Sequence, residues 1–204
     1  MLDPKSNYHR YRIFYSKTSA ARFIGHLDLQ SFFNKAFKRA NLPVAYSQGF
    51  NPHQLLSIAM PLSMGMMGHN EIVEIYLTKQ VNVSEMIDSL NKQMPEGMSI
   101  LDVKEVPNIG KSAAGLVHGA KYRICFLEED AQKIEEGAKK VIDTADFLDK
   151  VIDLKFDGSR VDAKLCAGSA KNLKPQVLAQ YLIEKLGLIS TTLDVRYERT
   201  EILI

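Results

Sequence analysis

Apolar residues recur with two different periods along this chain, and the switches between them mark out its elements. Residues 10–17 (RYRIFYSK) alternate and read as a strand. Over residues 27–40 the spacing becomes helical: Leu29, Phe32, Phe33, Ala36, Phe37 and Ala40 form one stripe, and Asn41 with Pro43 ends it. Residues 47–53 are dense in Ser, Gly, Asn and Pro and read as a turn. Strands are expected at 55–59 and 71–77, with Pro61, Gly65 and Gly68 marking a turn region between them. A helix follows at 84–94, with Ser84 as its N-cap, and then a strand at 98–105.

The second half repeats this plan. A strand at 121–127 leads to a charged helix at 129–140, weakened by Gly137. Strands at 150–156 and 160–166 flank Asp157-Gly158, a strong hairpin signal. A helix at 175–186 has Pro175 in its first turn and Gly187 just past its end, and a strand at 193–199 closes the run. Both halves therefore read β-α-β-β-α-β. The expected fold is α+β, built as two tandem ferredoxin-like halves. The expected domains are 1–106, carrying the candidate site, and 120–204, joined by a small, breaker-rich linker at 107–119 (PNIGKSAAGLVHG). This expectation rests on element order, since no sequence similarity is visible between the halves.

Composition narrows the class. At 46% hydrophobic and 25% charged residues, the chain has ordinary globular proportions. No stretch approaches the roughly 20 apolar residues that span a bilayer, so no membrane association is expected. The opening residues MLDPKSNYHRYR contain no apolar core of a secretory signal. Cys125 and Cys166 are the two cysteines; they lie in strand-like runs and read as buried, reduced core residues. A cytoplasmic location is the default, and no cofactor is expected.

The net charge of +2 conceals an asymmetry. Residues 1–53 hold eight Lys/Arg against two Asp/Glu, a net of +6, and the rest hold 18 against 22, a net of −4. A basic segment of this kind suggests a polyanionic partner. On the helix at 27–40, Ser31, Lys35, Lys38 and Arg39 share one side; this is either a solvated face or a phosphate-contacting stripe in which Arg39 makes the bidentate grip. Asp28 either caps the helix or sits in the field of its positive end, and His26 beside it is disposed to stay neutral. The loop YSQGFNPH then offers Tyr46, Ser47, Gln48, Phe50, Asn51 and His53 around a permissive Gly49. Aromatic rings beside Lys and Arg are a common way to hold single-stranded nucleic acid. His26 and His53, with Asp28, could also meet as a general acid/base pair or as a two-histidine, one-carboxylate metal site, although no local spacing supports a metal. A second loop, CAGSAKNLKP at 166–175, brings Gly168, Ser169, Lys171 and Lys174 to the start of a helix as a phosphate-binding candidate without the full P-loop pattern.

Residues 22–29 (RFIGHLDL), 39–53 (RANLPVAYSQGFNPH) and 61–71 (PLSMGMMGHNE) resemble the radical-SAM-linked conserved hypothetical proteins, a bacterial family of unknown function. The family pattern continues with Pro-Lys after the final His, where this chain has Gln54-Leu55. The resemblance implies a radical SAM protein as partner. With two distant cysteines the chain cannot itself hold that enzyme's iron–sulfur cluster.

Three functions follow as expectations. The leading one is a non-catalytic RNA-binding or RNA-modification accessory protein, with its site built from Arg22, His26, Arg39 and the 46–53 loop, and with Lys35 and Lys38 attracting phosphates. The second is a metal-independent ribonuclease or small hydrolase using His26 and His53. The third is a module that docks a radical SAM partner.

Overall fold

The computed structural model describes residues 7–168 and 171–204. They form two compact α+β units, divided between Leu116 and Val117.

In the first unit, strand β1 (His9–Lys17) pairs antiparallel with both β3 (Met67–Leu77) and β4 (Met98–Val106), and β2 (Leu56–Ile58) pairs antiparallel with β3. The strand order is β4-β1-β3-β2. Alternation along β1 puts Tyr11, Ile13 and Tyr15 on the core face, with Val73, Ile75 and Leu77 of β3 beside them. Helix α1 (His26–Arg39) buries Leu29, Phe33, Ala36 and Phe37 against that face. The Tyr15 and Phe33 rings meet edge to face at 5.0 Å, and Phe33 stacks on Phe37 at 5.6 Å. Each such ring contributes about 1.5–3 kcal/mol through burial. Helix α1 ends in a Schellman arrangement: Asn41 takes φ +54°, its N–H donates to Lys38 O at 3.0 Å, and Leu42 N donates to Phe37 O at 3.1 Å. Asparagine tolerates this left-handed position, which is why the stop falls where the sequence places it.

Helix α2 (Val83–Asn91) starts earlier than expected. Asn82, not Ser84, is the cap; its side chain accepts from Glu85 N at 3.2 Å, the third amide of the helix, while Ser84 already lies inside. The linker region is also not bare. Residues 113–116 form a short helix, α3 (Ala113–Leu116), attached to the first unit's sheet.

In the second unit, β5 (Gly119–Cys125), β6 (Val151–Asp157), β7 (Arg160–Cys166) and β8 (Arg196–Leu203) pair antiparallel in the order β8-β5-β7-β6. Helices α4 (Ala131–Ile142) and α5 (Pro175–Leu186) contribute buried Ile134, Ala138, Ile142, Leu178, Ala179 and Leu182. Helix α4 continues through Gly137; a Cβ there would lie 2.6 Å from Leu186 Cδ2 of α5, so the glycine leaves room for that side chain. The last strand begins three residues later than expected. Asp194 accepts from Thr191 N (2.8 Å) and Thr191 Oγ1 (2.7 Å), and that turn holds Leu193 outside the ladder, 94% exposed. Both cysteines are free thiols and half-buried rather than sealed in the core; burial, with Glu198 nearby, pushes the Cys125 thiol up.

Buried Asp130 locks the start of α4 to the chain that follows α5. Ile189 N donates to its Oδ1 at 2.6 Å and Ser190 N to its Oδ2 at 2.8 Å. Burial pushes this carboxyl up, but the Ser190 and Ile189 hydrogen bonds outweigh it and hold the group below its ordinary value. A carboxylate depressed in the folded state stabilises above its unfolded pKa, and that contribution is lost as pH falls through the folded value. Asp130→Asn is expected to cost about 2 kcal/mol at neutral pH. Urea unfolding at a series of pH values should show the gap from wild type closing below about pH 4.

Candidate nucleic-acid interface

The start of α1 is fixed by backbone rather than by a side-chain cap. Gly25 occupies the N-cap in extended conformation (φ −69°, ψ 165°), and Asp28 lies in the first turn, where the helix dipole favours a carboxylate. The chain enters through a 3-10 turn over Ser19–Phe23. Arg22 O accepts from Lys17 Nζ at 3.1 Å and from Gly65 N at 3.0 Å, which pins this entry to the end of β1 and to the 61–66 turn. The Arg22 guanidinium sits over the Phe23 ring at 4.8 Å. His26 and Asp28 lie at this end, together with exposed Phe23 (57%), Leu27 (78%) and Met64 (69%).

Residues 46–54 form a closed hairpin. Tyr46 bridges antiparallel to Gln54, and Ser47 N donates to His53 O at 2.8 Å. His53 N donates to Ser47 Oγ at 3.0 Å, and the same hydroxyl lies 2.9 Å from His53 Nδ1. Gly49 takes φ +113°, a conformation that only glycine adopts cheaply. The hairpin is braced on the middle and end of α1. Gln54 Nε2 donates to Asn34 O at 3.0 Å, and Lys38 Nζ lies 6.0 Å from the Tyr46 ring centroid. Gln48, Asn51 and His53 are exposed around the tip, and Phe50 is fully exposed at 105%. Lys35, Lys38 and Arg39 are exposed on α1, with Arg39 Nε donating to Gln93 Oε1 at 3.0 Å.

The sequence-predicted residues therefore fall into two groups. Lys35, Lys38 and Arg39 share α1 with the brace for Tyr46, Ser47, Gln48, Phe50, Asn51 and His53. Arg22, His26 and Asp28 lie at the other end of α1; His26 is about 12 Å along the axis from Asn34 at 1.5 Å per residue. Among the described residues, no group of three or more His, Cys, Asp or Glu could hold a metal ion, so His26, Asp28 and His53 do not make the two-histidine, one-carboxylate set.

In the loop at 166–175 two of the candidate residues make contacts within the second unit. Gly168 takes φ +120°, and a Cβ there would lie 2.5 Å from Val117 O. Lys171 Nζ bonds Asp149 Oδ2 at 2.8 Å, which raises the Lys171 pKa and lowers that of Asp149. Lys174 is exposed at the N-cap of α5, and Ser169 lies outside the described residues.

One cluster escaped the sequence reading. Glu74, in the middle of β3, is 1% exposed and stands opposite Arg12 in the register. Its Oε2 accepts from Arg10 Nη2 (2.9 Å), Arg12 Nε (3.2 Å) and Ala113 N (3.0 Å). Arg10 also donates to Lys111 O (2.6 Å) and Pro107 O (3.4 Å), so the linker region is stitched to the sheet. The signal was a lone glutamate within the apolar run IVEIYL, two strands away from an alternating Arg-Tyr-Arg; only the register brings them together.

The fold and this surface define a two-unit α+β protein with a basic helix face and an aromatic hairpin. Residues 10–186 match the bacterial family described as "Uncharacterized protein conserved in bacteria (DUF2344)", and the chain belongs to that family. Among solved structures, one described as "Crystal Structure of an Unknown Protein from Galdieria sulphuraria" is similar over 97% of this chain and 99% of that chain, at 12% identity and a TM-score of 0.29. No curated protein matches the chain. Among the described residues no helix is long and apolar enough to cross a membrane.

The Ser47 hydroxyl supplies one of the bonds that close the hairpin tip. Ser47→Ala removes the acceptor for His53 N and is expected to loosen the tip by about 1 kcal/mol. Hydrogen exchange read by NMR should show the His53 amide losing protection while amides in β1 and β3 keep theirs. Unchanged protection at His53 would contradict the hydroxyl's role as the tip's clasp.

Proposed function

We propose that this protein binds single-stranded RNA without cleaving it, as an accessory to RNA modification, and that the 46–54 hairpin with the outer face of α1 is its binding surface. One observation carries the reading: Phe50 is wholly exposed at the tip of a hydrogen-bonded hairpin, beside a lysine–tyrosine pair. A ring held out in water is unfavourable until something covers it. A nucleobase stacked on such a ring contributes about 1–3 kcal/mol, whatever the base. Lys35, Lys38 and Arg39 supply sequence-independent phosphate attraction, and Arg22 extends it toward the start of the helix. Ser47, Gln48, Asn51 and His53 offer donors and acceptors to a strand lying across the tip. The separation of His26 from the hairpin's brace favours this reading over a two-histidine ribonuclease.

We further propose the ferredoxin-like plan for each unit. The strand orders β4-β1-β3-β2 and β8-β5-β7-β6, with every pair antiparallel, support it. The exposed cluster of Phe23, Leu27 and Met64 favours a second surface, on which a protein partner docks; the sequence resemblance points to a radical SAM enzyme.

Fluorescence anisotropy with a labelled single-stranded RNA tests the proposal. Phe50→Ala should weaken binding by about tenfold or more. The Lys35→Glu, Lys38→Glu double variant should weaken it for every sequence and flatten the log-affinity against log-salt slope by about 1.4 or more. No measurable affinity, or affinity unmoved by either variant, would refute it. If Leu27→Glu loses a radical SAM enzyme in a pull-down but keeps RNA affinity, the two surfaces are separate.

A further inference from the structure

The hairpin's returning arm runs into a cavity of about 330 Å³ on the face of the first unit's sheet that carries Glu74. His53, Leu55, Ser57, Glu74, Tyr76 and Ser112 line it. The size falls at the lower end of the range for small-ligand sites. Ser57 stands opposite Glu74 in the β2–β3 register, and Tyr76 carries the Arg10 guanidinium over its ring at 5.9 Å.

The chemistry of the cavity is set by an imbalance at Glu74. The three donors among the described residues, from Arg10, Arg12 and Ala113, converge on Oε2. Among the described residues Oε1 has no hydrogen-bond partner, and the side chain is only 1% exposed. A buried carboxylate oxygen left unsatisfied is costly, and a ligand that donates a hydrogen bond to it recovers that cost. An aromatic wall, an apolar wall at Leu55 and two hydroxyls suit a flat heterocycle with an N–H donor on its edge.

We propose that this cavity seats one unstacked nucleobase bearing an exocyclic amine, whose N–H donates to Glu74 Oε1; the proposal rests on the RNA-binding reading for the source of that base. His53 belongs to both the hairpin and the cavity wall, so a strand stacked on Phe50 has a continuous path to it. Single-stranded RNA is read in this way, by splaying a base out and hydrogen-bonding its edge. Adenine, cytosine and guanine carry the amine. Uracil has no amine; the one donor on its pairing edge, N3–H, is flanked by two carbonyl oxygens, which a carboxylate repels. The cavity thus gives the interface a base preference that its lysines and rings cannot provide.

NMR titration with free nucleosides, beside anisotropy with oligo(C) and oligo(U), tests this. Cytidine should shift resonances of Ser57, Tyr76 and Ser112, and uridine should bind about tenfold more weakly or worse. Glu74→Gln, which presents an amide in place of the carboxylate, should erase the preference while leaving the salt slope of oligonucleotide binding intact. Because Glu74 also neutralises two arginines, Ser57→Phe serves as the second variant: it fills the cavity and should abolish cytidine binding while oligo(U) affinity stays at the wild-type value. Equal affinity for cytidine and uridine, or cytidine binding that survives Ser57→Phe, overturns the assignment. If cytidine saturates the cavity with the expected preference but no oligonucleotide binds, the cavity stands and the RNA-binding reading of the hairpin falls. If oligonucleotides bind and respond to Phe50→Ala with no base preference, the hairpin stands and the cavity assignment falls.

Discussion

The first unit is organised around a carboxylate buried in a sheet. A lone ionised glutamate in an apolar strand is strongly unfavourable, and removing one partner of such a buried pair typically costs about 3–5 kcal/mol. Here Arg10 and Arg12 come from the neighbouring strand and the Ala113 amide from the segment after β4. A slip of one residue in the β1–β3 register would drive Glu74 into the face that packs Tyr11, Ile13 and Phe33, so the ion cluster and the hydrophobic pattern select the same alignment. It also ties residues 107–113 to the sheet.

That fixed sheet is what allows a short hairpin to stand out rigidly. Strand β2 has three residues and pairs along β3, from Leu56 opposite Ile75 to Ile58 opposite Val73. The segment leading into it is held at both sides: Ala45 N donates to Tyr76 O and Leu55 N to Ala45 O, while Gln54 reaches α1. With its base anchored to sheet and helix, the Tyr46–His53 turn closes on its own hydrogen bonds and keeps Phe50 in solvent. A flexible loop would collapse the ring onto nearby apolar surface. The exposure of Phe50 is therefore a consequence of bracing, and it is the physical basis of the functional reading.

Much of this was legible in the chain, for local reasons. The stripe from Leu29 to Ala40 and the Asn41 stop define α1 because spacing and end signals agree. Asp157-Gly158 defines the β6–β7 turn because a two-residue connection demands that chemistry. The hairpin at 46–53 was visible through Gly49 and Asn51-Pro52. Other features depend on contacts that no local pattern carries. Gly137 reads only as a weak point of its helix until Leu186 is seen against it, and the start of β8 depends on the Thr191–Asp194 turn. The Glu74 cluster needs a register between strands more than 50 residues apart in the sequence. The placement of His53 relative to His26 depends on where the hairpin docks, which the Gln54–Asn34 hydrogen bond and the backbone bonds of Ala45 set together.

The functional reading stands on a single strand of RNA lying across the hairpin tip and the basic face of α1. A two-dimensional ¹H–¹⁵N NMR titration with a short unstructured RNA tests it most directly. The predicted shifts concentrate at Lys35, Lys38, Arg39 and residues 46–54, with the second unit's strands unmoved. A titration in which those resonances stay fixed while others move, or in which none moves at all, would contradict it.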